Sequence, residues 1–353
     1  MASLKPITII GGGLAGLTLG IGLRQRDIPV TIQEAGRYPR HRVCGEFISG
    51  SGQIVLERLG LLDHLRKAGA IYARTVMFIC GGAQSPVRRL AAPALCLSRY
   101  KMDALLAEQF QTSGGELRAQ SRWTSDPGSE GIVLASGRRL QSSEKNAHTG
   151  VRWFGVKAHV ASSTPVNLEA DLEMHLSPDG YVGVSRIDDG QVNVCGLFQA
   201  RADERRPESK TEWLRGQDGS LLRKRLNAAE FETASFCSVA GIQLKPQRAT
   251  NKKECCIGDA LTMTPPVTGN GMSMAFESAE AAIEPLTGYS RGQLTWTDAQ
   301  QQIARRCDAS FSRRLAWARV LQWMMVSRPI HSGLKKFLLR SDLIWRLMFA
   351  QTR

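Results

Sequence analysis

Lys5 to Gly16 reads KPITIIGGGLAG, a short apolar run followed at once by a glycine triplet. Lys5 to Ile10 has the composition of a buried parallel strand, and Leu14 to Leu23 continues as an apolar helix. Val30 to Gln33 (VTIQ) reads as a second strand, ending at Glu34 with Ala35 behind it. Gly11, Gly13 and Gly16 occupy the positions of G-x-G-x-x-G, and each position has a physical task. The first glycine permits the tight turn out of the strand, the second lets the backbone approach a pyrophosphate, and the third lets the helix pack against the sheet. The helix start, with the N–H groups of Leu14 and Ala15, offers unpaired donors and a partial positive charge to phosphate. Glu34 stands where a carboxylate can accept hydrogen bonds from ribose hydroxyls. Strand, triplet, helix, strand and acid in this order specify a Rossmann-type dinucleotide site, without saying which dinucleotide.

A second glycine-rich helix start lies far downstream. Cys255 to Met272 reads CCIGDALTMTPPVTGNGM. Ile257 ends a strand, Gly258 and Asp259 follow, and a Pro-Pro turn containing Pro266 leads into Gly269, Gly271 and Met272. A helix over Ser273–Ile283 comes next. Two such helix starts around a strand-end aspartate suit a long, doubly phosphorylated cofactor.

Together these motifs resemble those of the FAD-dependent oxidoreductases of the para-hydroxybenzoate hydroxylase fold, a superfamily of aromatic monooxygenases, geranylgeranyl reductases and flavin-dependent halogenases. The resemblance covers most of the chain and is most specific over 5–49 and 255–279. It implies non-covalently held FAD, with Asp259 on the ribityl hydroxyls and Gly269–Met272 against the isoalloxazine and pyrophosphate. Ser98 to Asp103 (SRYKMD) resembles the superfamily's SR-x-x-(L/M)-D helix start, which implies that Arg99 reaches the cofactor.

His41 to Gly50 (HRVCGEFISG) falls, by the same resemblance, beside the flavin. A Cys-Gly-Gly stretch stands here in the reductase branch and Gly-Glu-Ser in the halogenase branch; Cys44-Gly45-Glu46 matches neither. Arg42 would reach the ribose or pyrophosphate, and Cys44, Gly45 and Glu46 would line the ring. Cys44 is either a functional thiol or a small buried space-filler. Glu46 is either a general acid or base with a raised pKa, or a carboxylate favoured at a helix start.

The middle of the chain alternates apolar and polar residues over 153–160, 172–176, 181–185 and 192–198, with a turn at Asp188-Asp189-Gly190. This pattern predicts an antiparallel sheet roofing the flavin. Tyr181 is expected to line the pocket, whereas His159 and His175 read more simply as structural strand histidines. Where the reductases carry large aromatics, this chain has YVGVSR from Tyr181, which leaves room for a broad substrate. The halogenase tryptophan motif is missing. So is the hydroxylases' Asp-Gly motif, near whose place Ala135–Arg138 (ASGR) stands, so electrons come from transient NAD(P)H contact or a partner reductase.

The chain has 353 residues and a formal net charge of +14. The excess is concentrated at the C-terminus, where eleven Lys and Arg residues after Ile303 face only Asp308 and Asp342. Two amphipathic helices are expected there, over 310–326 and 334–349, separated by Pro329. They read either as an ordinary packed cap or as a lipid-interface element. The eight cysteines form no CxxC pair and no zinc spacing, which implies free thiols, no metal and a reducing compartment. No stretch reaches the ~18 uninterrupted apolar residues of a membrane span.

The expected fold is α/β. A Rossmann-like FAD-binding domain would be drawn from 1–70, 95–150 and 250–290, with an inserted antiparallel β-sheet substrate domain from 71–94 and 151–249, and C-terminal helices over 291–353. Arg201 to Lys210 (RADERRPESK) reads as a charged surface loop. The expected activity is that of a cytoplasmic FAD-dependent monooxygenase acting on a hydrophobic phenolic, polyketide-like or lipidic small molecule, with Cys44, Glu46 and Tyr181 as candidate catalytic residues and no nucleic-acid partner. The alternatives are a reductase of isolated C=C bonds, a halogenase, and a flavin sensor without turnover.

Overall fold

The computed structural model describes residues 3–124, 126, 128–137, 152–200, 211–242 and 247–326, together with Ser341, Asp342 and Trp345. The first half contains β1 (Ile7–Ile10), α1 (Leu14–Arg24), β2 (Val30–Glu34), β3 (Phe47–Ile48), α2 (Gly50–Arg58), α3 (Leu62–Lys67), β4 (Ile71–Cys80), β5 (Ala83–Gln84), β6 (Arg88–Cys96), α4 (Arg99–Thr112), β7 (Glu116–Ala119) and β8 (Ile132–Leu134). The second half contains β9 (Arg152–Val160), β10 (Leu172–Ser177), β11 (Gly180–Arg186), β12 (Val192–Ala200), α5 (Glu212–Arg215), α6 (Leu221–Leu226), β13 (Cys237–Ile242), β14 (Cys255–Cys256), α7 (Gly271–Ser290) and α8 (Trp296–Val326).

The glycine-rich start builds the first sheet. Its order is β14-β8-β1-β2-β7, and every pairing in it is parallel. β1 (ITII) is almost wholly apolar, as a strand covered on both faces should be, whereas β2 (VTIQE) buries Val30, Ile32 and Glu34 and leaves Thr31 and Gln33 half-buried. Ile7, Ile9 and Ile32 are fully buried, and Leu17, Ile21, Phe110, Phe276 and Ile283 from α1, α4 and α7 pack in the same core.

The second sheet runs β13-β9-β12-β11-β10-β4-β6-β3, with β5 on β4. The four middle strands read from the sequence are all present, as β9 to β12. The sheet is mixed rather than purely antiparallel, because β10 pairs with β4 in parallel, Leu172 opposite Val76. After β4 the chain pairs back as β6, then passes through α4 and the first sheet before returning as β9. β10 therefore arrives beside β4 by a long crossover and not by a hairpin, and long crossovers permit parallel pairing.

The sheets are tied at one seam. Ser98 caps α4 through its side chain, and its backbone N–H donates to Asp188 Oδ1 at 2.6 Å in the β11–β12 turn. Lys101 Nζ adds contacts to Asp188 at 3.1 Å and Asp189 at 2.7 Å.

The first C-terminal helix starts much earlier than the expected 310. α8 buries Trp296, Ala299, Ile303, Cys307, Phe311, Leu315, Ala318 and Leu321 at helical spacing. Its first half is polar between those positions, which hid the period. The expected helix over 334–349 and the loop at 201–210 lie outside the described residues. None of the eight cysteines forms a disulfide.

Candidate active site

The two glycine motifs meet in space. A Cβ added at Gly258 would lie 2.9 Å from the Ala15 side chain, and one at Gly269 would lie 2.3 Å from the Phe47 ring. Cys44 Sγ stands 3.1 Å from Met272 Sδ. Ser49 and Ser273 share a 2.6 Å hydroxyl contact that pins α2 beside the start of α7. Segments from opposite ends of the chain thus form one cleft.

Within the first motif the glycines divide the work. Gly11 has φ +109, and a Cβ there would press on the Ala135 carbonyl at 2.5 Å. A Cβ on Gly16 would strike the Gly11 carbonyl at 2.0 Å. These two glycines serve the protein's own packing. Gly13 is different: a Cβ there meets nothing within 4 Å, and the same holds at Gly271. Gly13 and Asn270 begin α1 and α7 without a side-chain cap hydrogen bond. Two uncapped helix starts behind open glycine backbone fit a dinucleotide's phosphates.

Glu34 is buried at the end of β2. Its carboxylate accepts the Gly12 N–H at 2.9 Å and the Gly36 N–H at 2.7 Å. It also pairs with Arg40 at 2.7 Å and lies 3.5 Å from Arg42. Ala35 continues the strand end, and the Tyr38 hydroxyl donates to the Gly12 carbonyl. Burial, and next the Glu34 charge, push the Tyr38 phenol above its ordinary range, so it stays a neutral donor. Tyr38 and Arg40 were not anticipated. An aromatic and an arginine in the turn after the strand-end acid were the available signal. Asp259 is exposed in the turn that opens at Gly258, and Pro266 begins the turn that ends at Gly269.

The expected flavin-side residues form a charged knot. Arg99 grips Asp103 with Nε at 2.7 Å and Nη2 at 2.9 Å, and Arg42 Nε reaches the same carboxylate at 2.8 Å. Both arginines are thus held in protein ion pairs at the edge of the cleft. Cys44 lies beside them, its thiol pKa raised by burial and only partly offset by Arg99. Gly45 gives its carbonyl to the Ser185 hydroxyl at 3.4 Å, and the Cys44 carbonyl accepts from Asn193 Nδ2 at 3.1 Å.

Glu46 is fully buried, at φ +57, a left-handed backbone that a non-glycine residue rarely adopts. Its carboxylate accepts the Arg99 N–H, the first of α4, at 2.8 Å. It also contacts Lys157 Nζ at 3.0 Å and His159 Nε2 at 2.6 Å. Burial alone would raise its pKa. The His159 hydrogen bond and the Lys157 charge, with the Arg99 N–H, outweigh burial and hold it below the usual carboxylate range. Glu46 thus stands as a buried carboxylate at the start of α4, with its pKa lowered and not raised.

Lys157, fully buried, was missed altogether. Its Nζ also lies 3.3 Å from His41 Nδ1. His41 stacks on Tyr100 at 4.6 Å. Burial first, then the charges of Lys157 and His159, lower the His41 pKa to about 4.

Strand register explains why these groups share a face. Ser185, Asn193 and His159 stand in one row across β11, β12 and β9; Gly183, Cys195, Lys157 and Cys237 stand in the next. One row further, Tyr181 and Leu197 join Leu176 and Leu321 in an apolar cluster rimmed by Trp153, Met174, Val239 and Met263. The Tyr181 hydroxyl is buried there without a partner, as are both polar atoms of the buried Gln322 on α8. His175 faces away from this cluster and pairs with Glu173 at 3.0 Å, a structural contact as expected.

No family model matches the chain. It is 29% identical over 140 residues to the 6-methylpretetramide 4-monooxygenase of Streptomyces rimosus and 29% over 104 residues to Monooxygenase 1 of Arabidopsis thaliana. These matches cover 37% and 29% of this chain, and only 32% and 26% of the two relatives. The menaquinone reductase of Mycolicibacterium smegmatis aligns at 21% identity over 94% of this chain and 88% of its own. Among solved structures, the flavin-dependent brominase Bmp2 superposes with a TM-score of 0.73 at 18% identity, covering 99% of this chain and 95% of its own. PqsL of Pseudomonas aeruginosa gives 0.71 at 18%, covering 94% and 99%. The chain therefore has the fold that these flavin-dependent enzymes share.

Proposed function

We propose that this protein is a FAD-dependent monooxygenase acting on a hydrophobic small molecule. One observation carries the reading. Two uncapped helix starts from opposite ends of the chain converge, with room for a ligand at Gly13 and Gly271 and with Glu34 at the strand end. In this reading 1–70, 95–150 and 250–290 hold the cofactor. The starts of α1 and α7 face its phosphates, Glu34 its ribose, and Asp259 its ribityl chain. Bound FAD supplies two-electron redox chemistry and, once reduced, reactivity toward O2. The chain supplies position and dryness. Leu176, Leu197 and Leu321 exclude water from the sheet face, while Lys157 and His159, locked by Glu46, fix charge at its other end.

A second reading, reduction of a carbon–carbon double bond, is favoured by the near full-length alignment with a menaquinone reductase. NAD(P)H or a partner reductase is the electron source in either case. The test is oxygen uptake by purified protein with NADH, NADPH or a reductase, in the presence of phenolic and lipidic candidates. A monooxygenase consumes O2 in step with product, and a reductase forms product without air. A correctly folded protein that neither retains nor takes up FAD would overturn both readings.

A further inference from the structure

The last turns of α8 carry a surface unlike the rest of the helix. Phe311, Leu315, Ala318 and Leu321 face the interior. On the opposite side Trp317 is 38% exposed, Val320 44% and Trp323 64%. Three and six residues beyond Trp317, Val320 and Trp323 extend one stripe along the helix. Two tryptophans at these exposures are unusual on a soluble surface, where large apolar side chains are exposed singly.

The charge around the stripe has one sign. Arg313 and Arg319 are exposed beside it, with Arg305 and Arg306 on the turns before. From Ala309 to Val326 the sequence contains no Asp or Glu. The nearest acid on the helix, Asp308, is already engaged by the backbone N–H groups of Ala249 and Thr250. Arg314 points the other way, into Glu277.

We propose that this face of α8 docks the protein on an anionic lipid bilayer, with Trp317, Val320 and Trp323 in the interface and Arg313 and Arg319 over the headgroups. Amphipathic helices that lie in lipid interfaces combine these features: large apolar and aromatic side chains on one side and basic ones at their edges. The charge pattern complements phosphate-bearing headgroups, and the aromatic stripe supplies an apolar surface that a bilayer interface buries and the phosphate backbone of a nucleic-acid duplex does not. No described helix is long and apolar enough to cross the membrane, so the contact is peripheral. Its position links docking to the site. Leu321, on the inner side of the same turns, packs against the apolar end of the substrate sheet with Leu176, Tyr181 and Leu197. A bilayer-dissolved substrate would meet the sheet face at this end. The docking inference itself stands whether or not the flavin reading holds, because the stripe lies outside the cleft.

The test uses the intact protein and vesicles of phosphatidylcholine, with and without roughly 30% phosphatidylglycerol. Cosedimentation is expected only with the anionic vesicles, and is expected to be strong near about 50 mM NaCl and weak near about 500 mM, where screening is short-ranged. Tryptophan emission should shift to the blue on binding. Arg313→Gln with Arg319→Gln should weaken binding roughly 30-fold, since each basic side chain at such a surface counts for a factor of about five. Trp317→Ser with Trp323→Ser should weaken it about tenfold and remove the emission shift. Both double variants alter exposed side chains, so an unchanged melting curve separates loss of docking from loss of fold. Absence of binding to anionic vesicles, or binding by both double variants as tight as that of the unaltered protein, would overturn the inference. So would a tryptophan-dependent dimer whose dissolution leaves vesicle binding unchanged, or preferential binding to a duplex DNA fragment.

Discussion

At the scale of single residues, the centre of the site is an ion pair that the sequence shows only in halves. Glu46 stands out beside Cys44-Gly45, but its partner Lys157 is one basic residue in an alternating strand. Nothing local distinguishes it from a solvent-facing lysine until the sheet turns it inward. Glu46→Gln leaves a buried ammonium without its counter-charge, and the expected loss is about 3 kcal/mol, measured by urea unfolding. The pH dependence separates two neighbours. The Glu46 carboxyl is held below its ordinary value of 4.5, so the unfolded chain takes up that proton first as pH falls. Its stabilisation is whole above 4.5 and disappears below it. His41 behaves likewise at higher pH. Its pKa is lowered from 6.5 to about 4, so its contribution is whole above 6.5 and declines as pH falls toward 4. Urea midpoints measured across pH should lose their slope between pH 6.5 and 4 in His41→Gln, and their slope below pH 4.5 in Glu46→Gln. A slope unchanged by both substitutions would place the acid sensitivity elsewhere. Gln322 makes a complementary case. Its amide is buried with both polar atoms unpartnered, so Gln322→Leu should stabilise the ligand-free protein by about 1 kcal/mol in the same assay.

At the scale of elements, the glycine triplet was legible because local geometry alone dictates it. What the spacing could not assign is which glycines serve the fold and which serve a ligand. Gly11 needs positive φ and a close approach to the Ala135 carbonyl, so Gly11→Ala should cost at least about 2 kcal/mol whether or not FAD is present. Gly13 has φ −90 and ψ −170, which alanine adopts freely, and its added methyl would meet no protein atom. Gly13→Ala should therefore melt at or slightly above the wild-type temperature while retaining FAD roughly tenfold less well or worse. Calorimetry and flavin absorbance on the two variants test the division. Equal FAD retention by Gly13→Ala would remove the phosphates from that turn. The less legible elements share one property: their partners are remote in sequence. β10 reads as a strand, but its parallel pairing with β4 follows from the crossover and not from its residues. α8 hides its first half because its buried positions, Trp296, Ala299, Ile303 and Cys307, are separated by glutamines, arginines and aspartates. A reader looking for a dense apolar stripe finds one only from Phe311 onward.

At the scale of the whole molecule, α8 is part of the body built on the first sheet and not an appendage. Ile303, Cys307, Phe311 and Leu315 belong to the same core as β1, α1 and α7. Asp308 closes the 249–251 turn, accepting the Ala249 N–H at 2.7 Å and the Thr250 N–H at 3.1 Å. Truncation after Gln300 would withdraw those four side chains at about 1.5–3 kcal/mol for each large one. The sum approaches the entire stability of an ordinary domain, about 5–15 kcal/mol. The expected outcome is a chain that fails to fold cooperatively, seen as loss of the near-ultraviolet circular dichroism signal and of the sharp urea transition. Loss of flavin in that truncated chain would then reflect unfolding, since α7, which starts at the second glycine motif, is braced by α8 through contacts such as Arg314 to Glu277. If the truncated protein instead unfolds as sharply as the full chain and still takes up FAD, α8 is a dispensable cover, and its inner stripe contributes far less than its burial implies.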